Sequence, residues 1–346
     1  MTKRIVSIVI IFLCTATPWI VLSETTQRRT DDFDRKLRHA VGQLWGTKQR
    51  QCAPWAVARD MVAPKKDRRG NLPEKDAPLA CTPDSPAALV PLESSDISVD
   101  LSLEHRQKGL LWYSTYQVAF AGRYRMVNHS DKPTCVTFAF MFPSERALYD
   151  NVKFRVGEEE ISDLAVSKGV VSRVIPLAAG ASQEVEVSYM TNGMEEWWYD
   201  FGTTVNQVKN FSLTMYTDFD KIDFPDNSIS PTTKEKTENG WQLQWRYSNL
   251  LSAVRIGMAM PQRLNPGPWV SQVSYAAPVS LFLFFFVLFV VTTARHIPIH
   301  PMNYFFIGAA FFSFHLLLAY LVDHMSVHAS FVIASVVSVA LVISYM

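Results

Sequence analysis

Hydrophobic positions along this chain obey different rules in different regions. In the last quarter they are continuous: Tyr275 to Thr293, Asn303 to Val322 and Val327 to Met346 are apolar runs. Each is about 20 residues, enough for a helix to cross roughly 30 Å of hydrocarbon while closing its own backbone hydrogen bonds. Leu281 to Val291 (LFLFFFVLFVV) carries no polar side-chain atom, and from His296 onward the sole Asp, Glu, Lys or Arg is Asp323. A fourth apolar run, Ile5 to Leu22, follows Lys3 and Arg4. It reads either as a retained anchor or as a signal peptide cleaved near Val21-Leu22-Ser23, and its length of 18 residues exceeds an ordinary signal core. Cys14 is not a lipoprotein cysteine, because bulky Leu13 precedes it.

Between these runs the period changes twice. Phe33, Leu37, Val41, Leu44 and Trp45 recur at helical spacing up to Gly46, with Thr30 as a candidate cap and Asp31, Asp32 and Asp34 suited to a helix start. Gln51 to Pro91 is rich in proline and nearly aperiodic, which predicts an extended loop. From Asp96 the period is two: Ile97, Val99, Leu101 and Leu103 alternate with polar residues, Trp112 to Met126 alternates aromatics with polar groups, and Val136, Phe138, Phe140 and Phe142 share a face. Further strand runs follow at 152–156, 170–175, 185–189, 211–216, 241–247 and 254–260, separated by turn formers such as Asn239-Gly240. So many short strands without intervening helices predict an antiparallel sandwich. The expected fold is a membrane protein: a large all-β, sandwich-like periplasmic domain plus α-helical transmembrane segments. Its expected divisions are an anchor (1–23), a juxtamembrane helix (24–50), a proline-rich loop (51–95), the β domain (96–272) and a three-helix transmembrane region (273–346).

Charge orients the spans. Lys3 and Arg4 keep the start inside, and Arg295 with His296 and His300 marks the first turn of the C-terminal cluster as cytoplasmic. Residues 24–272 are then exported. Setting aside Lys3, Arg4 and Arg295 leaves 30 of 33 basic residues there, and setting aside Asp323 leaves 31 of 32 acidic ones. Such a balance provides no field for nucleic acid. The partners expected are the lipid bilayer and an unknown envelope component or membrane protein. In an oxidising compartment, Cys52 and Cys81 bracket the proline-rich loop and are the disulfide candidates, with Cys135 a buried thiol; the alternative is three free thiols.

Chemistry is scarce. The sequence has no phosphate loop after a strand, no Gly-x-Ser-x-Gly elbow, no His-Glu-x-x-His and no cysteine pairs at zinc spacing. No enzyme, metal or cofactor is expected. His39, His105 and His129 lie far apart, and Glu158-Glu159-Glu160 after Gly157 reads as a solvated hairpin tip. In Glu195-Glu196-Trp197-Trp198-Tyr199-Asp200-Phe201, alternation puts Trp197, Tyr199 and Phe201 inward and leaves Trp198 as the exposed aromatic. Trp269 and Tyr275 suit an interfacial belt.

Read together, these pieces resemble the bacterial inner-membrane CreD family. The resemblance rests on Leu44-Trp45-Gly46 with a nearby Gln and Pro, Lys108-Gly109-Leu110-Leu111-Trp112-Tyr113, Thr217-Asp218-Phe219 to Phe224-Pro225, Leu264-Asn265-Pro266-Gly267-Pro268, Ala277-Pro278-Val279-Ser280 and His300-Pro301. It implies a role in cell-envelope integrity and no catalytic residues. It also implies further C-terminal helices, so a chain stopping at Met346 is expected to be a truncated or shortened member. Two functional readings follow. One is a non-enzymatic envelope protein whose sandwich binds a component or partner and whose helices anchor or transmit that state. The other is a transporter or sensor subunit using His315, Asp323, His324 and His328 for protons or ions. His315 falls mid-span, and an antiparallel hairpin places it opposite Ala334 and Ser335; it is expected to hydrogen-bond Ser335 or Ser338 as interhelical glue.

Overall fold

The computed structural model describes residues 2–62, 80–81, 87–109, 111–145, 147–202, 206–252 and 254–345. It divides into two compact units, Met1–Ala40 with Gln107–Trp112 and Arg263–Met346, and Val41–Arg106 with Tyr113–Gln262.

The first unit is helical. Its helices are α1 (Thr2–Leu44, whose last turn belongs to the second unit), α2 (Pro266–Ala294), α3 (Pro301–Leu321) and α4 (Val327–Tyr345). All four are long and apolar enough to cross a membrane. Proline opens α2 and α3, where its missing N–H costs nothing, and His300 Nδ1 accepts from the Met302 N–H at 3.3 Å to cap α3. Ile8 and Trp19 of α1 bury with Ala277, Leu281 and Phe285 of α2 and Tyr304 of α3. A second cluster joins Val270, Leu318, Ala319, Val322 and Ala334. Where a break between anchor and juxtamembrane helix was expected, α1 is a single helix. Thr30 does not cap; its hydroxyl donates to the Thr26 carbonyl one turn back at 2.9 Å. No glycine or proline interrupts residues 24–41, and Glu24–Arg28 and Asp34–Arg38 ion pairs at i, i+4 support the exposed turns.

The second unit holds three sheets among the described residues. An eight-stranded sheet runs, in order, through Thr233–Lys236, Trp241–Ser252, Asn206–Thr217, Ser94–Lys108, Leu111–Val127, Ser182–Met194, Tyr149–Val156 and Glu159–Glu160. A six-stranded sheet comprises Val166–Ser167, Val170–Leu177, Thr134–Met141, Trp55–Val62 and Ala80–Cys81, with Ala87–Val90 also on Trp55–Val62. Gln49–Cys52, Glu196–Asp200 and Ile256–Ala259 form the third. Pairing is antiparallel except for Asn206–Thr217 on Ser94–Lys108 and Gln49–Cys52 on Glu196–Asp200, which are parallel. One aromatic core lies between the large sheets. Phe120 stacks on Tyr189 at 5.0 Å within the eight-stranded sheet, and Phe140 from the six-stranded one lies 6.0 and 6.3 Å from the two rings.

Part of the expected proline-rich loop is sheet. Trp55–Val62 pairs with Thr134–Met141, its small inward residue Ala56 lying opposite Phe138. Ala56 and Ala58 are no more hydrophobic than their neighbours Trp55 and Val57, which is why the strand did not stand out. Residues 63–79 and 82–86 of that loop lie outside the described residues.

The disulfide expectation is also corrected. Cys52 is a free thiol and Cys135 is disulfide-bonded. Cys52 sits in the three-stranded sheet beside Asp200, whereas the Cys81 backbone pairs with Met61 in the six-stranded sheet, so the two cysteines belong to different sheets. The Cys81 side chain lies outside the described residues. Burial, reinforced by the Asp200 carboxylate, raises the Cys52 pKa.

Gln51 ties the three sheets together. Its Nε2 donates to the Cys52 carbonyl at 2.7 Å and to the Met141 carbonyl at 3.0 Å, and its Oε1 accepts from the Tyr189 hydroxyl at 2.7 Å. Gln51→Leu is expected to destabilise this unit by about 2 to 4 kcal/mol, since it strands the buried Tyr189 hydroxyl as well as deleting bonds; chemical denaturation followed by tryptophan fluorescence measures it. Peptide mapping without reductant should recover Cys135 in a disulfide. Cys52 should alkylate slowly at neutral pH and quickly after unfolding, because a thiol with a raised pKa holds little thiolate.

Candidate functional site

Two sequence stretches far apart in the chain meet in the helical unit. Lys108 to Tyr113 turns a hairpin whose tip, Gln107–Trp112, belongs to this unit, while the rest of the same two strands belongs to the β unit. Leu264 to Pro268 opens α2. Asn265 holds the tip: its Oδ1 accepts from the Trp112 N–H at 2.8 Å, and its Nδ2 donates to the Trp112 carbonyl at 3.4 Å. Asn265 stands at the N-cap of α2 yet makes no capping hydrogen bond, because its amide is spent on Trp112. The Arg263 guanidinium lies 4.5 Å from the centre of the Trp112 ring, a cation–π contact. On the other side Gly109 has φ +62°, and a Cβ there would stand 3.2 Å from Leu37 Cδ1 of α1. The tip is thus clamped between α1 and the start of α2.

Below the clamp, α1 and α2 share a seam of small polar residues. The Ser23 hydroxyl donates to the Ser271 carbonyl at 2.9 Å, the Ser271 hydroxyl donates to the Ser23 carbonyl at 3.0 Å, and both side chains are buried. Gly267 passes so close to Thr30 that no Cβ fits between them. Small residues of this kind let helix backbones approach where lipid supplies no hydrophobic drive.

Each intramembrane residue singled out from the sequence has a definite place. His315 is buried, its Nδ1 lies 3.0 Å from the Phe311 carbonyl of its own helix, and its ring meets Trp19 of α1 edge-on at 5.8 Å. It does not bond Ser335 or Ser338. Ser335 returns its hydroxyl to the Phe331 carbonyl at 2.8 Å, and Ser338 donates across to the Ala310 carbonyl of α3 at 3.0 Å. The expected antiparallel hairpin is there, with Ala334 packed near Leu318, but the histidine is turned toward α1 rather than α4. Asp323 pairs with Arg29 of α1 at 2.6 Å, and His324 packs on Tyr320. The Arg29 partnership was invisible in the sequence, since nothing in one chain says which of α1's arginines reaches the α3–α4 turn.

In the β unit, Trp197, Tyr199 and Phe201 are buried and Trp198 is partly exposed. Trp198 lies flat over Gly257, and its indole N–H donates to Glu196 Oε2 at 2.9 Å. Burial pulls the Glu196 pKa up, but bonds from Lys48, 2.7 Å away, and from Trp198 outweigh it and hold it below the ordinary carboxylate range. Asp200 is buried between Arg50 at 2.6 Å and Arg255 at 3.2 Å. His105 faces the Pro261 carbonyl and His129 faces Glu93, so the histidines are not gathered. Among the described residues no group of three or more His, Cys, Asp or Glu could hold a metal ion.

Comparison with known proteins gives one full-length match. The family model described as "Inner membrane protein CreD" matches residues 1–346. No curated protein matches. Among solved structures, one from Legionella pneumophila, titled as a candidate nutrient binding protein, is similar with 10% identity, covering 56% of this chain and 74% of its own, at a TM-score of 0.37. An M1 zinc metallopeptidase from Deinococcus radiodurans is 8% identical, covering 49% of this chain and 42% of its own, at a TM-score of 0.28. A two-domain M1 zinc metallopeptidase mutant bound to L-tryptophan is 7% identical over 49% and 44%, at a TM-score of 0.27.

The Arg29–Asp323 pair is open to a charge-swap test. Asp323→Arg or Arg29→Asp alone places like charges together and should lower the melting midpoint of the protein in detergent. The double exchange should recover most of the loss, with a coupling of about 1 kcal/mol for a partly exposed pair. Additive single effects would mean the two groups do not interact.

Proposed function

We propose that this chain, which belongs to the CreD family of inner membrane proteins, supports cell-envelope integrity by binding an envelope component or partner protein through its β-sandwich. The hairpin tip at Gln107–Trp112 passes the sandwich's state to the helices. One observation carries this reading: Asn265 and Arg263 at the head of α2, with Leu37 of α1, grip residues that extend from two strands of the sandwich sheet. The Asn265 side-chain amide bonds both main-chain groups of Trp112, so the hairpin tip moves with the head of α2. In this reading residues 24–272 lie in the periplasm and the His296–His300 turn faces the cytoplasm, as the placement of Lys3, Arg4 and Arg295 supports.

Two experiments test it. A membrane-impermeant protease added to spheroplasts should cleave within residues 51–91 and spare the His296–His300 turn; the opposite pattern reverses the topology. Asn265→Ala should remove about 1 to 2 kcal/mol of local stability, seen as faster amide exchange at residues 108–112. It should cost the cell its tolerance of envelope stress at unchanged protein level. Full tolerance with a demonstrably loosened tip would remove the transmission role.

A further inference from the structure

Several hydroxyls in the helical unit satisfy themselves by a shared device. Thr15, Thr25, Thr30, Ser330 and Ser335 all turn their hydroxyls back to the carbonyl four residues earlier. Ser274 on α2 does not. It is 1% exposed, and its hydroxyl has no partner among the described residues. The same holds for the indole N–H of Trp19, which is 0% exposed.

The helix register brings these two groups to the same level of α1 and α2. The α1–α2 register runs through Thr30 beside Gly267, Ser23 beside Ser271 and Phe12 beside Phe282, so the helices are antiparallel and Trp19 falls opposite Ser274 to Ala277. Trp19 packs in the cluster that contains Ala277. His315 of α3 packs against Trp19 at that level, its ring perpendicular to the indole. Its Nδ1 faces the Phe311 carbonyl, which can only accept; Nδ1 therefore carries the proton of the neutral ring, and Nε2 is the ring's acceptor. The indole can only donate, the hydroxyl does either, and the second ring nitrogen of the adjoining imidazole can only accept.

We propose that this junction of α1, α2 and α3 is an internal water site, in which a bound water accepts from Trp19 Nε1, pairs with the Ser274 hydroxyl and donates toward His315 Nε2. The chemistry selects the occupant. A metal cation is excluded, because an indole N–H cannot ligate one. A halide would accept from Trp19 and Ser274 but would leave a buried, unneutralised charge facing an acceptor nitrogen. Water alone supplies acceptor and donor at once, and two to four polar partners are what buried waters use. His315 then works as a positioning residue for the water rather than as glue to α4.

The test uses the full chain in lipid nanodiscs. Hydroxyl-radical footprinting by X-ray radiolysis modifies side chains beside bound waters even when they are buried. Trp19 should be oxidised several-fold faster than the buried Phe285, which lies in the same cluster, and Ser274→Val, which fills the space, should slow Trp19 oxidation several-fold. The rate should be the same in chloride-free sulfate buffer; dependence on chloride would overturn water in favour of a halide. Ser274→Ala supplies a second readout whose sign decides. A dry, unpartnered hydroxyl is a burden, so its removal raises the melting midpoint, whereas loss of a water-bridged hydroxyl lowers it. Slow Trp19 oxidation unaffected by Ser274→Val, or a raised midpoint in Ser274→Ala, overturns the proposal.

Discussion

In hydrocarbon a leucine gains nothing by leaving lipid for another helix, and this fact governs how the four helices hold together. Their outward residues, such as Phe282, Phe284 and Phe286, are half exposed and would be no better placed against protein. Association therefore falls to close backbone approach and to polar groups that have nowhere else to go. The reciprocal Ser23–Ser271 bonds are that force in its simplest form, since each hydroxyl finds a carbonyl of the opposite helix. Gly267 against Thr30 and Gly308 against Thr15 allow the backbones near enough for it to act.

The β unit solves the opposite problem. In water the aromatic faces of its sheets drive burial without guidance, and direction must come from polar groups. Tyr124, Tyr189, Phe138, Phe140, Phe154 and Trp245 are fully buried in its core, which secures collapse but not the mutual placement of three sheets. Gln51 contributes that placement, because its amide has three partners at fixed angles and each lies on a different strand. A buried amide with every bond satisfied specifies one arrangement; any slip strands a polar atom.

Legibility in the sequence followed the strength of these forces. Spans were plain because membrane helices need long uninterrupted apolar runs, and the strands from Ile97 to Phe142 were plain because one face is buried and the other wet. Trp55–Val62 was missed, since Ala56 and Ala58 mark an inward face without raising hydropathy. The cysteine pairing was misread because proximity to a loop says nothing about which sheet a strand joins, and Cys52 and Cys81 join different ones. At the candidate site, the stretches around Trp112 and Asn265 stood out as motifs, but not as partners. An Asn before Pro reads as a helix cap, and only the fold shows its amide turned to another segment. His315 was expected to face α4, and a helical face with several candidate partners cannot tell α1 from α4.

The orientation of α1 against α3 shows why so many weak contacts suffice. Residue numbers differ by 293 at Thr15–Gly308 and by 294 at Arg29–Asp323. A constant difference means parallel helices in one register over the length of the span, as an alternating passage of four helices requires for the first and third. Between these two points lies the Trp19–His315 contact. A shift of α1 by one turn, about 5.4 Å, would separate all three at once and break Ser23 from Ser271 as well. No single one of these interactions is worth more than about 1 or 2 kcal/mol. Because they share one rigid helix, they are lost together or kept together, and the lone carboxylate of the C-terminal quarter, Asp323, gains its pairing from a register that the buried serines have already set.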